Sequence, residues 1–229
     1  MTANALIVGA GSGLSASLAR LLTREGMTVT LAARDTGKLQ ALCDETGAAA
    51  ISCDAAEVGS VATLFDRLDA EGRTPEFVIY NAGYYARGAI DTLSAEDVRT
   101  SLDINALGAC LVAQAAARRM LAAGSGVIAF TGATAGIKGF ANSSPFAMGK
   151  FALRGLCQSL ARELAPQNIH VLHFVLDGMI HNPARGAPFD DPDTTLHPDR
   201  LAEAYLAAAR QHPSAWSWEI ELRPSTEKF

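Results

Sequence analysis

A doubly wound parallel α/β sheet is the fold class this sequence predicts, and three observations predict it. Short apolar runs with the length of buried strands recur along the chain, Ala5–Val8 being the first. Stretches with apolar residues at helical spacing separate them, and such alternation puts crossover helices on both faces of a sheet. The first run passes through Gly9, Gly11 and Gly13 straight into Leu14, Leu18, Leu21 and Leu22, giving a strand, a turn and a helix whose N-terminus can hold an anion. The expectation is a three-layer αβα sheet of six to seven strands, Rossmann-type, with residues 1–229 forming one domain.

The elements follow in order. Met27–Ala33 reads as the second strand, with Gly26 stopping the helix before it. Thr36–Thr46 is predicted helical, Ala48–Cys53 a third strand, and Val58–Glu71 a helix with Val61, Leu64, Phe65 and Leu68 on one face. Phe77–Tyr80 is a fourth strand running into Asn81-Ala82-Gly83. One long helix is expected over Ser94–Ala123, with Ser94 and Asp97 at capping-box spacing. Val127–Thr131 is a fifth strand, Pro145–Leu164 a helix, and Ile169–Leu176 a sixth strand. Asp177–Asp199 carries four prolines and an acidic cluster, so it reads as a loop that could serve as a substrate lid. A helix over Pro198–His212 and a strand over Trp216–Leu222 close the chain.

Composition narrows the function. The net charge of −5 and the lack of a basic run give nucleic acid or an anionic membrane surface no purchase. No apolar stretch reaches the roughly 18 residues of a spanning helix, and Met1 is followed almost at once by the first strand rather than by a signal pattern. Cys43, Cys53, Cys110 and Cys157 lack metal or redox spacing, which fits reduced thiols in the cytoplasm.

Five features in the right order carry a family resemblance. They are the GAGSGLS turn with Gly9 and Gly13, Asp54 after the third strand, Asn81-Ala82-Gly83 after the fourth, Asn105 in the long helix, and Lys150 four residues after an aromatic. Together they resemble the short-chain dehydrogenase/reductase family over nearly the whole chain. The resemblance implies a dinucleotide cofactor held by Gly9, Gly11, Ser12, Gly13 and Leu14 at the diphosphate and by Asp54 at the adenine. Asn81, Ala82 and Gly83 border it, Lys150 binds its ribose hydroxyls, and Gly178 and Ile180 lie at its nicotinamide end. It also implies a small-molecule substrate and a homodimer or homotetramer built on the long helices. Ser15 stands where the family has a third glycine, and its hydroxyl is a candidate phosphate ligand.

Cofactor choice is read just past the second strand. An acidic residue there accepts hydrogen bonds from a ribose 2′-hydroxyl, whereas this chain has Ala33 followed by Arg34. A guanidinium grips a 2′-phosphate in bidentate fashion, and Lys38 adds charge one turn on. NADP(H) is therefore favoured over NAD(H).

The catalytic pattern breaks at two positions. By resemblance, a Tyr exchanges a proton with the substrate oxygen and a Ser orients it, with Lys and Asn in support. Here the Tyr place holds Phe146 and the Ser place, thirteen residues earlier, holds Ala133. Lys150 and Asn105 remain. Three outcomes stay open. Another group gives the proton, from among Thr131, Thr134, Tyr84, Tyr85, Ser143, Ser144 and His181; the reaction needs no acid, as with an imine or activated alkene; or the protein is a catalytically inactive dinucleotide-binding sensor or scaffold. Lys150, Asn105, Tyr84 and Thr134 form the candidate catalytic set of an atypical oxidoreductase. His170 and His173, inside the sixth strand, read as structural.

Overall fold

The computed structural model describes residues 3–182 and 185–227. Its seven strands, β1 (Asn4–Val8), β2 (Thr28–Ala33), β3 (Ala49–Ser52), β4 (Phe77–Tyr80), β5 (Gly126–Thr131), β6 (Ile169–Leu176) and β7 (Glu219–Leu222), form one sheet. The order is β3-β2-β1-β4-β5-β6-β7 and every pairing is parallel. Side chains alternate across each strand. Ala5 and Ile7 join Leu18, Leu22 and Tyr205 on one face, while Leu6 and Val8 join Phe65, Val112 and Leu153 on the other. Two apolar layers thus sandwich the sheet, as the alternating sequence predicts.

The covering helices are α1 (Leu14–Arg24), α2 (Gln40–Thr46), α3 (Val58–Ala70), α4 (Ala95–Leu102), α5 (Gly108–Ala123), α6 (Ser144–Leu164) and α7 (Pro198–Ala209). The chain reverses direction across the sheet between β1 and β4, and Val8 stands beside both Ala32 and Tyr80 at the ends of their strands. That switch point is where a doubly wound sheet opens a crevice for ligands.

Four expectations need correction. The single helix over Ser94–Ala123 is broken: a π-helical turn, Asp103–Leu107, separates α4 from α5. Such a turn frees a carbonyl from the helical ladder, and the buried Tyr80 hydroxyl donates to the Ile104 carbonyl. The predicted helix over Thr36–Thr46 starts as a 3-10 turn at Gly37–Leu39, because the Asp35 carboxylate accepts the Gly37 N–H at 3.0 Å. The last strand is four residues, Glu219–Leu222; Trp216 instead stacks on His170 at 4.5 Å, and the Ser217 carbonyl bonds the His170 ring at 2.8 Å. The helix predicted to reach His212 ends at Ala209. Ser94 does cap α4, accepting the Asp97 N–H at 3.0 Å.

The loop after β6 is stitched at its base by a parallel bridge between Ile180 and Leu196. It ends two residues earlier than its composition suggests, at His197, whose ring accepts the Asp199 N–H and starts α7. Residues 183 and 184 of the expected lid lie outside the described residues.

Candidate active site

The turn after β1 is fixed by backbone geometry. Gly9 has φ +85°, and a Cβ there would stand 2.3 Å from the Ala82 nitrogen, so the β1 and β4 turns touch backbone to backbone. The Gly9 and Ala10 N–H groups both donate to the Ala32 carbonyl, at 2.9 and 3.0 Å. Ser15 clamps the two turns: its hydroxyl donates to the Gly9 carbonyl at 3.2 Å and accepts from Asn81 Nδ2 at 2.8 Å. The expectation that this hydroxyl meets a phosphate is thereby overturned, since it is buried and engaged within the protein.

Beyond the clamp the surface suits a diphosphate. The N-terminus of α1 at Gly13 has no side-chain cap and no acidic residue in its first turn. No heavy atom lies within 4 Å of where a Cβ would sit on Gly11 or Gly13. Uncapped N–H groups, a favourable helix dipole and open space over glycine make a cradle for an anion. Ser12 is exposed beside it, while the Leu14 side chain is buried in the core and leaves only backbone to contribute.

A crevice of about 230 Å³ opens at the switch point. It brings together Gly9, Arg34, Asp54, Asn81, Ala82 and Gly83 of the expected cofactor residues, and Lys38 lines it too. Arg34 and Lys38 are exposed at its rim. Asp35, the neighbouring acid, is occupied by its own turn. Asp54 is half-buried and accepts the Ala56 N–H at 3.1 Å through Oδ1. Ile104 also lines the crevice. The sequence reading missed it because its position depends on the π turn, and its adjacency to Asn105 was the only available signal. Gly178 and Ile180 do not line this crevice; Gly178 packs against Pro224 and Ile180 bridges to Leu196.

The other half of the site is assembled by α6 against the π turn. A Cβ on Gly149 would stand 2.8 Å from the Asn105 Cβ and 2.9 Å from the Ser101 carbonyl, so only glycine permits this approach. Asn105 is fully buried, donating to the Tyr84 carbonyl at 2.9 Å and to the Ser101 hydroxyl at 3.1 Å. Lys150, next to Gly149, is also buried; its ammonium donates to the Thr131 carbonyl at 2.8 Å and lies 5.8 Å from the centre of the Phe146 ring. The pairing of Phe146 with Lys150 on one helix face is as the spacing predicts.

Burial pushes the Lys150 ammonium down to about 8. Against its ordinary value of 10.5, that shift is a penalty of about 3 kcal/mol on the charged native form. Between those two values the unfolded chain holds the proton that the native chain has released, so native stability gains as pH rises through the window. We expect urea unfolding to show the wild type gaining about 3 kcal/mol relative to Lys150→Met as pH climbs through this window. A pH-independent difference would refute the burial effect.

Several candidate proton donors prove to be engaged elsewhere. The Tyr84 hydroxyl donates to Asp97 Oδ1 at 2.7 Å, and that carboxylate holds the phenol above its ordinary range. Tyr84 therefore anchors the β4 turn to the start of α4. Thr134 is buried and donates to Asp177 and to the Leu176 carbonyl, fastening the β5 loop to the end of β6; Asp177 in turn pairs with Arg223. These two of the four residues in the expected catalytic set thus brace neighbouring elements. Thr131 meets the Tyr205 hydroxyl at 2.9 Å and His181 meets Thr195 at 3.2 Å. His173 is buried against Glu219, which Arg154 grips with two bonds, so it is structural as expected.

The chain matches the family model for short chain dehydrogenases over residues 3–187. It is 29% identical over 177 residues to human 3-oxoacyl-[acyl-carrier-protein] reductase, covering 76% of this chain and 74% of that one. It is 29% identical over 184 residues to carbonyl reductase family member 4 of Danio rerio, covering 79% and 77%. A short-chain dehydrogenase structure from Rhodopseudomonas palustris superposes with a TM-score of 0.84 at 33% identity, over 97% of this chain and 98% of that one. A metagenomic short-chain oxidoreductase in complex with NADP superposes with a TM-score of 0.82 at 27% identity, over 98% and 99%.

Proposed function

The chain belongs to the short-chain dehydrogenase family, and on that premise we propose that it is an oxidoreductase using NADP(H) in preference to NAD(H) on a small-molecule substrate. The observation that carries this reading is the crevice rim, where Arg34 and Lys38 stand beside a glycine turn while the Asp35 carboxylate turns to accept the Gly37 N–H of its own loop. The related metagenomic structure holding NADP supports it. Bound NADPH supplies a hydride. The chain supplies the uncapped α1 N-terminus and Gly11 to Gly13 for the diphosphate, Arg34 for the 2′-phosphate, Asp54 for the adenine and Lys150 for the ribose hydroxyls.

A guanidinium matched to a phosphate forms two charge-assisted hydrogen bonds that an NADH ribose cannot offer. Equilibrium titration is expected to show NADPH binding at least about tenfold more tightly than NADH. Arg34→Ala is expected to erase most of that preference while leaving NADH affinity alone. Equal affinities in the wild type would overturn the assignment.

Assembly as a homodimer or homotetramer belongs to the same proposal. Its support is the exposure of Leu107, Met148 and Phe151 on the π turn and α6. A cytoplasmic setting accords with four free cysteines and with no described helix long and apolar enough to cross a membrane.

A further inference from the structure

The residues at 133 and 146 bring no hydroxyl to the reacting face, yet two other hydroxyls stand on the segments that meet there. Tyr85, two residues beyond Gly83, lays its ring edge-on against Phe146, the centroids 4.9 Å apart and the planes at 79°. The residue is 62% exposed, and its hydroxyl bonds to no group among the described residues. Ser143, the residue just before α6, precedes Phe146 by three positions and Lys150 by seven. The residue is largely buried, but its hydroxyl oxygen keeps contact with solvent, and it neither caps α6 nor bonds any described group. The two segments are tied together, since the Gly88 N–H donates to the Asn142 carbonyl at 3.0 Å.

Four of the other candidate donors are engaged. Tyr84, Thr131, Thr134 and His181 all have partners inside the protein. The Ser143 hydroxyl, unpartnered just ahead of α6, is left open to a substrate oxygen.

We propose that Tyr85 is the proton donor of this site, acting from the β4 loop in place of the phenol that α6 lacks, with the Ser143 hydroxyl orienting the substrate oxygen. The proposal rests on the NADP(H) reading above. In the reducing direction, hydride from a reduced nicotinamide dinucleotide bonds to the carbonyl carbon and the C=O π pair moves to oxygen. The Oη proton of Tyr85 goes to that oxygen, and the phenolate regains a proton from water, which its exposure allows. Oxidation of the alcohol runs the same steps backwards. The charged groups on the flanking elements are Lys150 beside Phe146, Asp97 behind Tyr84 and Arg87 on the same loop.

The test compares wild type, Tyr85→Phe, Ser143→Ala and Ser143→Thr with NADPH and three carbonyl probes: diacetyl, ethyl acetoacetate and trifluoroacetophenone. All four proteins are expected to bind NADPH equally. Tyr85→Phe keeps the ring contact and should lower kcat/KM about 10²–10⁴-fold. Ser143→Ala should lower it about 10²-fold, and Ser143→Thr should restore most of that.

A second readout does not depend on turnover. Subtracting the ultraviolet titration of Tyr85→Phe from that of wild type isolates the tyrosinate step that the substitution removes. That step should move when NADP⁺ is added, and its midpoint should match the pH profile of kcat/KM. The proposal is overturned if Tyr85→Phe stays within about twofold of wild type, if the tyrosinate step ignores NADP⁺, or if wild type binds NADPH and reduces none of the probes. Failure to bind NADPH at all would instead overturn the cofactor reading, and this proposal with it.

Discussion

In the Tyr85→Phe background, where no phenol remains at the site, Phe146→Tyr is expected to raise turnover of simple ketones by about 10²-fold or more, because a positioned general acid contributes typically 10²–10⁴-fold. The ring stands where the family resemblance implies a phenol, half-buried on α6 with the Lys150 ammonium 5.8 Å from its centre. The substitution adds one oxygen to that ring and leaves the helix unchanged. A nearby cation favours the phenolate, so the new hydroxyl should be a stronger acid than a free tyrosine. Ala133→Ser should add a further increment, since Ala133 has an extended backbone, φ −159° and ψ 164°, that serine adopts without strain. The variant also probes Tyr85 from the other side. If Tyr85 is the native donor, Phe146→Tyr should rescue the Tyr85→Phe protein on diacetyl, because the two phenols would serve one substrate oxygen from adjoining rings. Steady-state kinetics on the single and double variants decides the matter. A Phe146→Tyr, Tyr85→Phe double variant no faster than Tyr85→Phe on any carbonyl would show that this helix face is not where the chemistry occurs.

The sheet and the glycine turn after its first strand were legible because their signals are local. Strand, glycine turn and helix follow one another within Ala5–Leu22, and the apolar spacing there fixes both the elements and the face they bury. Arg34 was readable for the same reason, one residue past the end of β2. The break at Asp103–Leu107 was not, since nothing in DINAL disfavours an ordinary helix and the turn is held by Tyr80 from another element. The partners of the candidate donors were no more legible. The Tyr84 hydroxyl faces a carboxylate 13 residues on, and Thr134 faces one 43 residues on, so only the fold reveals that both are engaged. Spacing alone did place Lys150 and Phe146 together. What brought Asn105 to them was Gly149, whose role as a contact between helices has no local signature.

The glycine turn allows its structural and binding duties to be separated by two substitutions of the same size. Gly9→Ala should destabilise the protein by roughly 2–5 kcal/mol, combining the left-handed backbone cost with overpacking against a rigid neighbour. The neighbour is backbone: the new Cβ would fall 2.3 Å from the Ala82 nitrogen and 2.4 Å from its Cα, so neither turn can yield without disturbing the Ser15 clamp. Against a total stability of roughly 5–15 kcal/mol, such a loss is readily seen in thermal or urea unfolding. Gly11→Ala should behave in the opposite way. No protein atom lies within 4 Å of its Cβ position, so the melting temperature should hold while NADPH affinity falls about tenfold or more, the methyl group occupying the space a diphosphate would enter. Should Gly11→Ala bind NADPH as tightly as wild type, the turn would be a structural corner only, and the anion would have to be sought elsewhere on the sheet edge.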